Sequence, residues 1–110
     1  MTDIKITDPL YEDKIRLLQM LSFVRDPELE LNIVDLGLIY EIEIDKEKKE
    51  IVITMTLSTP ACPADDYIKG AVTLMATETF KDYSITVDIT FVPEWSADMI
   101  SEAGREELGW

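Results

Sequence analysis

Histidine is absent from the 110 residues, cysteine occurs once, and 10 basic residues face 23 acidic ones. Without histidine, Ser-His-Asp and Cys-His catalysis and every His-based metal site are excluded within one chain. The single cysteine, Cys62, rules out an internal disulfide. It equally rules out a four-cysteine zinc or iron–sulfur site built by one subunit. A formal charge of −13 repels phosphate backbones and anionic lipid, so neither nucleic acid nor a membrane surface is an expected partner. A basic protein or a metal cation is electrostatically easier. No apolar run approaches the ~20 residues of a membrane span. The opening MTDIKITDPL also lacks the basic-then-apolar order of a signal peptide. A soluble, cytoplasmic protein is predicted.

What is present fits one domain over residues 1–110, and the 46% hydrophobic fraction is enough for a modest core. Asp8-Pro9 is a good helix start, since Asp can cap and Pro is preorganised for the first helical position. Leu10, Ile15, Leu17, Leu18, Leu21 and Val24 then recur at helical spacing up to Asp26-Pro27. The segment PELELNIVD reads as a loop or short extended piece, punctuated by Gly37 serving backbone geometry. Tyr40, Ile42 and Ile44 alternate with acids, and Lys46 to Lys49 makes a charged turn. Ile51, Ile53, Met55 and Leu57 alternate with Val52, Thr54, Thr56 and Ser58, completing an antiparallel hairpin.

Ile68, Ala71, Val72, Met75 and Thr79 mark a second helix, weakened by Gly70. Tyr83, Ile85, Val87, Ile89 and Phe91 mark a third strand, reached by a crossover that makes it parallel to the second. In the tail, Ser96 and Ser101 are possible caps of short helical turns, and Trp95 is a candidate core residue. The predicted fold is α+β, in order α-β-β-α-β plus a helical tail. It has two layers: a mixed three- to four-stranded sheet with helices on one face. The other, threonine-rich face is left for water or a second subunit.

Cys62 lies between Pro60 and Pro63, directly ahead of the second helix. Pro63 at the first helical position puts the sulfur near the cap, where unpaired N–H groups and the helix dipole favour a thiolate. A lone cysteine is also often a buried, inert residue. Asp65 and Asp66 follow in the first turn and oppose ionisation of a free thiol. A bound cation reverses that balance, so transient metal or cluster ligation suits the site better than unaided nucleophilic catalysis. A thiol enzyme would also lack a resolving cysteine and a histidine base. Asp26, Glu28, Glu30 and Asp35 form a second acidic group. They are either a solvated loop or hard-cation ligands, and their spacing is not that of an EF-hand.

Together these segments resemble a known family. Asp26-Pro27-Glu28-Leu29 followed by Asn32-Ile33-Val34-Asp35-Leu36-Gly37-Leu38-Ile39 is similar to its DPEL…NIVDLGLI signature. Thr59-Pro60-Ala61-Cys62-Pro63 is similar to its TPxCP motif, and the Trp95-Ser96 tail to a common ending. This is the metal–sulfur cluster biosynthesis family, formerly domain of unknown function fifty-nine, which includes SufT-like and PaaD-like proteins. It also includes the small subunit of the cytosolic iron–sulfur targeting complex. The extra cysteines and histidine of PaaD-type extensions are missing here, which favours the general maturation factors.

The resemblance implies a non-enzymatic factor, often a homodimer, that assembles or delivers iron–sulfur clusters with the assembly machinery and client apoproteins. Cys62 would ligate iron or cluster transiently. Asp26, Glu28, Asp35, Thr59, Pro60 and Pro63 would line or support the pocket. One sulfur per chain implies a site shared across a dimer or with a partner. The alternative is a cofactor-free adaptor that docks clients to the machinery.

Overall fold

The computed structural model describes residues 10–26, 30–57 and 65–109. Helix α1 spans Tyr11–Leu21 and turns its Leu17 and Leu21 into the core. It ends one turn earlier than the hydrophobic spacing predicts. The Ser22 N–H and hydroxyl cap the last carbonyls, and Val24 is buried from the loop that follows. That loop has its own pairing: Arg25 and Asn32 form an antiparallel bridge, and the Ile33 N–H donates to the Val24 carbonyl at 2.9 Å. The predicted start at Asp8-Pro9 lies outside the described residues.

Strands β1 (Ile39–Asp45) and β2 (Glu50–Met55) form the antiparallel hairpin, and β3 (Ser84–Ile89) pairs parallel to β2. The sheet therefore has three described strands in the order β1-β2-β3, with β2 in the centre. At the charged turn, Asp45 Oδ1 accepts from the N–H groups of Glu47 and Lys48, and Lys49 closes it in the left-handed region at φ 54. Lys46 meets Asp13 of α1 at 2.9 Å, and this hydrogen-bonded carboxylate raises the lysine pKa.

Helix α2 (Asp65–Thr79) crosses between β2 and β3, packing on α1 and on β3. Its buried line is Ile68, Val72 and Ala76, continued by Phe80 just beyond its end. Arg16 of α1 lies 4.5 Å over the Phe80 ring, and Tyr83 meets that ring edge-on at 5.4 Å. Helices on one side and the sheet on the other thus enclose a single core.

Two positions depart from simple alternation. The β1–β2 register shifts between Ile39 and Glu41, so Ile39 is buried while Tyr40 is only half-buried. A β-bulge of this kind flips the facing of residues before it, which a strict period of two cannot anticipate. Just past the end of β2, Thr56 continues the threonine face yet is fully buried, so that face is closed at this end. The tail forms a 3-10 turn over Ala97–Met99 and helix α3 over Glu102–Leu108. Ser101 caps α3 by accepting from the Gly104 N–H, whereas Ser96 makes no side-chain cap.

Candidate functional site

Antiparallel β1–β2 pairing puts the start of β1 beside the end of β2, where Ile39 faces Met55 and the Thr56 N–H donates to the Leu38 carbonyl at 2.8 Å. Parallel β2–β3 pairing brings the end of β3 to the same place, where the Thr90 N–H donates to the Met55 carbonyl at 2.8 Å. Three stretches therefore converge on one end of the sheet. They are the acidic loop running into β1, the chain leaving β2 toward Cys62, and the tail leaving β3. Chain segments beyond the carboxyl end of a parallel strand are a common location for ligand sites in α/β sheets.

The acidic loop is built by apolar residues that its polar composition conceals. Leu31, Ile33, Leu36 and Leu38 are all fully buried, anchoring the loop to the core. Asp26 is 1% exposed. Its N–H donates to Leu31 O at 3.0 Å, and its carbonyl accepts from the Glu30 N–H at 2.8 Å. Glu30 takes a left-handed φ of 58, and its carbonyl accepts from Arg25 Nη1 at 2.7 Å. Those bonds close the loop at its base and hold Asp26 inside it.

Asp35 is occupied on both oxygens. Asn32 Nδ2 donates to Oδ2 at 2.7 Å and Ser101 Oγ donates to Oδ1 at 2.9 Å. Its N–H in turn donates to Asn32 Oδ1 at 2.9 Å, and its carbonyl accepts from the Ser101 N–H at 2.7 Å. A carboxylate so engaged braces the loop against the tail. Trp95 adds a second brace, its Nε1–H donating to the Leu36 carbonyl at 2.7 Å. A third comes from the Tyr40 hydroxyl, which donates to the Pro93 carbonyl at 2.7 Å.

Gly37 sits where these contacts are tightest. Its φ of +80 belongs to glycine, and a Cβ there would collide with the Met99 backbone carbonyl of the tail. The sequence points to Ser101 as a cap but carries no signal that it reaches Asp35, 66 residues away.

Of the predicted site residues, Asp26 and Asp35 belong to the same braced loop. Glu28, Thr59, Pro60, Cys62 and Pro63 lie outside the described residues. The segment carrying Cys62 is nevertheless held at both flanks by core residues, Leu57 at 2% exposure before it and Ile68 at 0% after it. Among the described residues, no three acidic side chains gather closely enough to hold a metal ion. Thr56 Oγ1, immediately ahead of that segment, is buried without a hydrogen-bond partner among the described residues. No helix among the described residues is long and apolar enough to cross a membrane.

Comparison with known proteins gives a consistent picture. Residues 14–87 match the family model described as iron–sulfur cluster assembly protein. An Fe-S protein maturation auxiliary factor of Porphyromonas gingivalis is 39% identical over 94 residues, covering 86% of this chain and 89% of its own. The auxiliary factor SufT of Staphylococcus aureus is 35% identical over 86 residues, 78% of this chain and 97% of its own. The crystal structure of a domain of unknown function from Bacillus anthracis superposes with a TM-score of 0.80 at 32% identity, covering 86% of this chain and 90% of that one.

Proposed function

This chain belongs to the iron–sulfur cluster assembly protein family, and from that premise we propose that Cys62 is a transient ligand for iron or an iron–sulfur cluster in transit. Its role lies in the maturation of iron–sulfur proteins. The cluster is cargo here, received from the assembly machinery and passed to client apoproteins. We assign it no catalytic step and place its work in the cytoplasm.

The observation that carries this reading is the convergence at the sheet end. The chain leaves the central strand at Thr56, three residues ahead of the TPxCP motif in sequence, beside Leu38, the last residue of the loop that holds Asp26 and Asp35. A thiolate is required for ligation, and a bound cation deprotonates the thiol despite nearby carboxylates. Thr59, Pro60 and Pro63 fix the cysteine's approach. Asp26 and Glu28 shape the pocket, and Asp35 holds the loop still by its bonds to Asn32 and Ser101. One thiolate cannot complete a set of four, so the remaining ligands come from a second subunit or from the partner. Incomplete ligation is what allows the cluster to leave.

A Cys62→Ser variant tests the reading in a maturation assay with an apoprotein client. Loss of cluster acquisition by the client is the expected result. If the client matures equally well, the protein is a cofactor-free adaptor instead.

A further inference from the structure

Among the described strands the sheet has two edges, and they are protected unequally. Strand β1 carries a bulge between Ile39 and Glu41 and an acid at each exposed position, Glu41, Glu43 and Asp45. A bulge and a row of charges are common protections of an unpaired strand. Strand β3, last in the order β1-β2-β3, has neither. It pairs with β2 in unbroken register from Ser84 to Ile89, contains no proline, and bears a single charge, Asp88.

Backbone direction fixes what the β3 edge offers. Ser84 and Thr90 donate their N–H groups toward β2, to the Lys49 and Met55 carbonyls, each at 2.8 Å. Alternation along a strand then turns the N–H and C=O groups of Ile85, Val87 and Ile89 away from the sheet. No described residue pairs with them. Their side chains lie on the helix side, where Val87 is buried while Ile85 and Ile89 are only half-buried at the rim of the core. Phe91 and Val92, 39% and 82% exposed, continue the apolar run past the strand end. A further strand would complete both the ladder and this rim.

We propose that the outer edge of β3 receives an extended, basic segment of a client apoprotein, which adds to the sheet as a further strand. Strand addition draws affinity from main-chain bonds and selectivity from alternate side-chain positions. Here one side of the added strand covers Ile85 and Ile89 with apolar residues. The other side joins an acidic sheet surface, where Asp88 shares a row with Thr54 and Glu41, and Asp45 shares one with Glu50 and Ser84. From Tyr83 to Glu94 there is no lysine or arginine, so the complementary side chains are basic. A second copy of this chain would set −13 against −13 and fits the edge poorly.

That the partner is a client rests on the maturation role stated above and on where the edge ends. The Thr90 N–H meets Met55 at the sheet end where the acidic loop enters β1 and the chain leaves β2. A segment lying along β3 therefore has one terminus at that same end. The edge itself does not depend on Cys62: strand capture needs the β3 backbone, and iron ligation needs the thiol.

Amide hydrogen exchange read by NMR on the full metal-free chain tests the edge, with a short synthetic peptide alternating valine and lysine as the probe. The expected result is fast exchange at Ile85, Val87 and Ile89 in the free protein, slowed at least ~10-fold at saturating peptide. The same peptide N-methylated at alternate residues, and a valine–glutamate peptide, each bind at least ~10-fold more weakly. Asp88→Lys, at an exposed position, weakens the lysine peptide at least ~3-fold and keeps the fold by circular dichroism. Ile89→Pro removes an edge donor where proline is tolerated, and client maturation falls while iron reconstitution stays at the wild-type level. Cys62→Ser still takes the peptide, so failure of the ligation reading leaves this result intact. No protection at β3, protection at Ile42 and Ile44 instead, or equal binding of the N-methylated peptide overturns the proposal. Protection that grows with protein concentration without peptide puts a second copy on the edge and overturns it too. Peptide capture with client maturation unchanged in Ile89→Pro and Asp88→Lys overturns the client as occupant.

Discussion

Ser101 and Asp35 hold each other twice across 66 residues of chain: the Ser101 hydroxyl donates to the Asp35 carboxylate at 2.9 Å, and its N–H donates to the Asp35 carbonyl at 2.7 Å. The same hydroxyl caps α3 by accepting from the Gly104 N–H at 3.0 Å. One side chain thus starts the last helix and fixes the acidic loop beside the end of β2.

Removing that hydroxyl takes away both interactions. Ser101→Ala is expected to lower unfolding free energy by about 1–2 kcal/mol in urea titration, the usual scale for a lost cap plus a lost hydrogen bond to a charged group. Ser96→Ala, at an exposed position without a side-chain cap, should change it by no more than ~0.5 kcal/mol. Equal effects at the two serines would refute the brace.

The two glycines should respond in opposite directions. Gly37→Ala combines a strained φ of +80 with a collision against the Met99 carbonyl, so a loss of roughly 2 kcal/mol or more is expected. Gly70→Ala fills open space on a helix and should gain about 0.5–1 kcal/mol. Thermal melts of both variants at one protein concentration check the pair of signs.

Thr56 carries a buried hydroxyl with no hydrogen-bond partner among the described residues. Thr56→Val keeps the shape and removes the unsatisfied group, so stability should rise by about 1 kcal/mol. A loss of more than that would mean the hydroxyl has a partner in the segment that follows.

Lys46 titrates above its ordinary 10.5 because Asp13 accepts its hydrogen bond and attracts its charge. A raised lysine pKa stabilises the fold below the unfolded value, and the benefit disappears as pH climbs through the folded one. The midpoint difference between wild type and Lys46→Met should therefore be constant well below the ordinary 10.5 and fade as pH rises past it through the raised folded value. Because the pair is exposed to solvent, the difference should also be small and shrink with added salt. A difference that grew at high pH would assign the effect to packing of the lysine stem.

The hairpin, the crossover helix and the parallel third strand were legible because each has a clean period, as in Ile51, Ile53 and Met55 or in Ile68 and Val72. The loop 31–38 was not. Leu31, Ile33, Leu36 and Leu38 follow no single period, since a bridge, a turn and Gly37 redirect the chain within eight residues. Tyr40 was misplaced because a bulge is set by pairing between strands and leaves no mark on one strand. Ala76 and Phe80 complete the α2 core line beyond the residues that periodicity selects. At the site, Cys62 and the acidic loop could be named from motif and charge. That Asp35 braces while Asp26 is enclosed depends on contacts with Ser101 and Leu31, which only the folded chain brings into place.

The central claim is that Cys62 holds the cargo, and anaerobic reconstitution with iron and sulfide measures it most directly. Visible absorption and bound iron per chain are recorded for wild type, Cys62→Ala and Ser96→Ala. The prediction is sulfur-to-iron charge-transfer absorption and stoichiometric iron in wild type, both absent in Cys62→Ala and both retained in Ser96→Ala. Identical spectra and iron content in wild type and Cys62→Ala would contradict it.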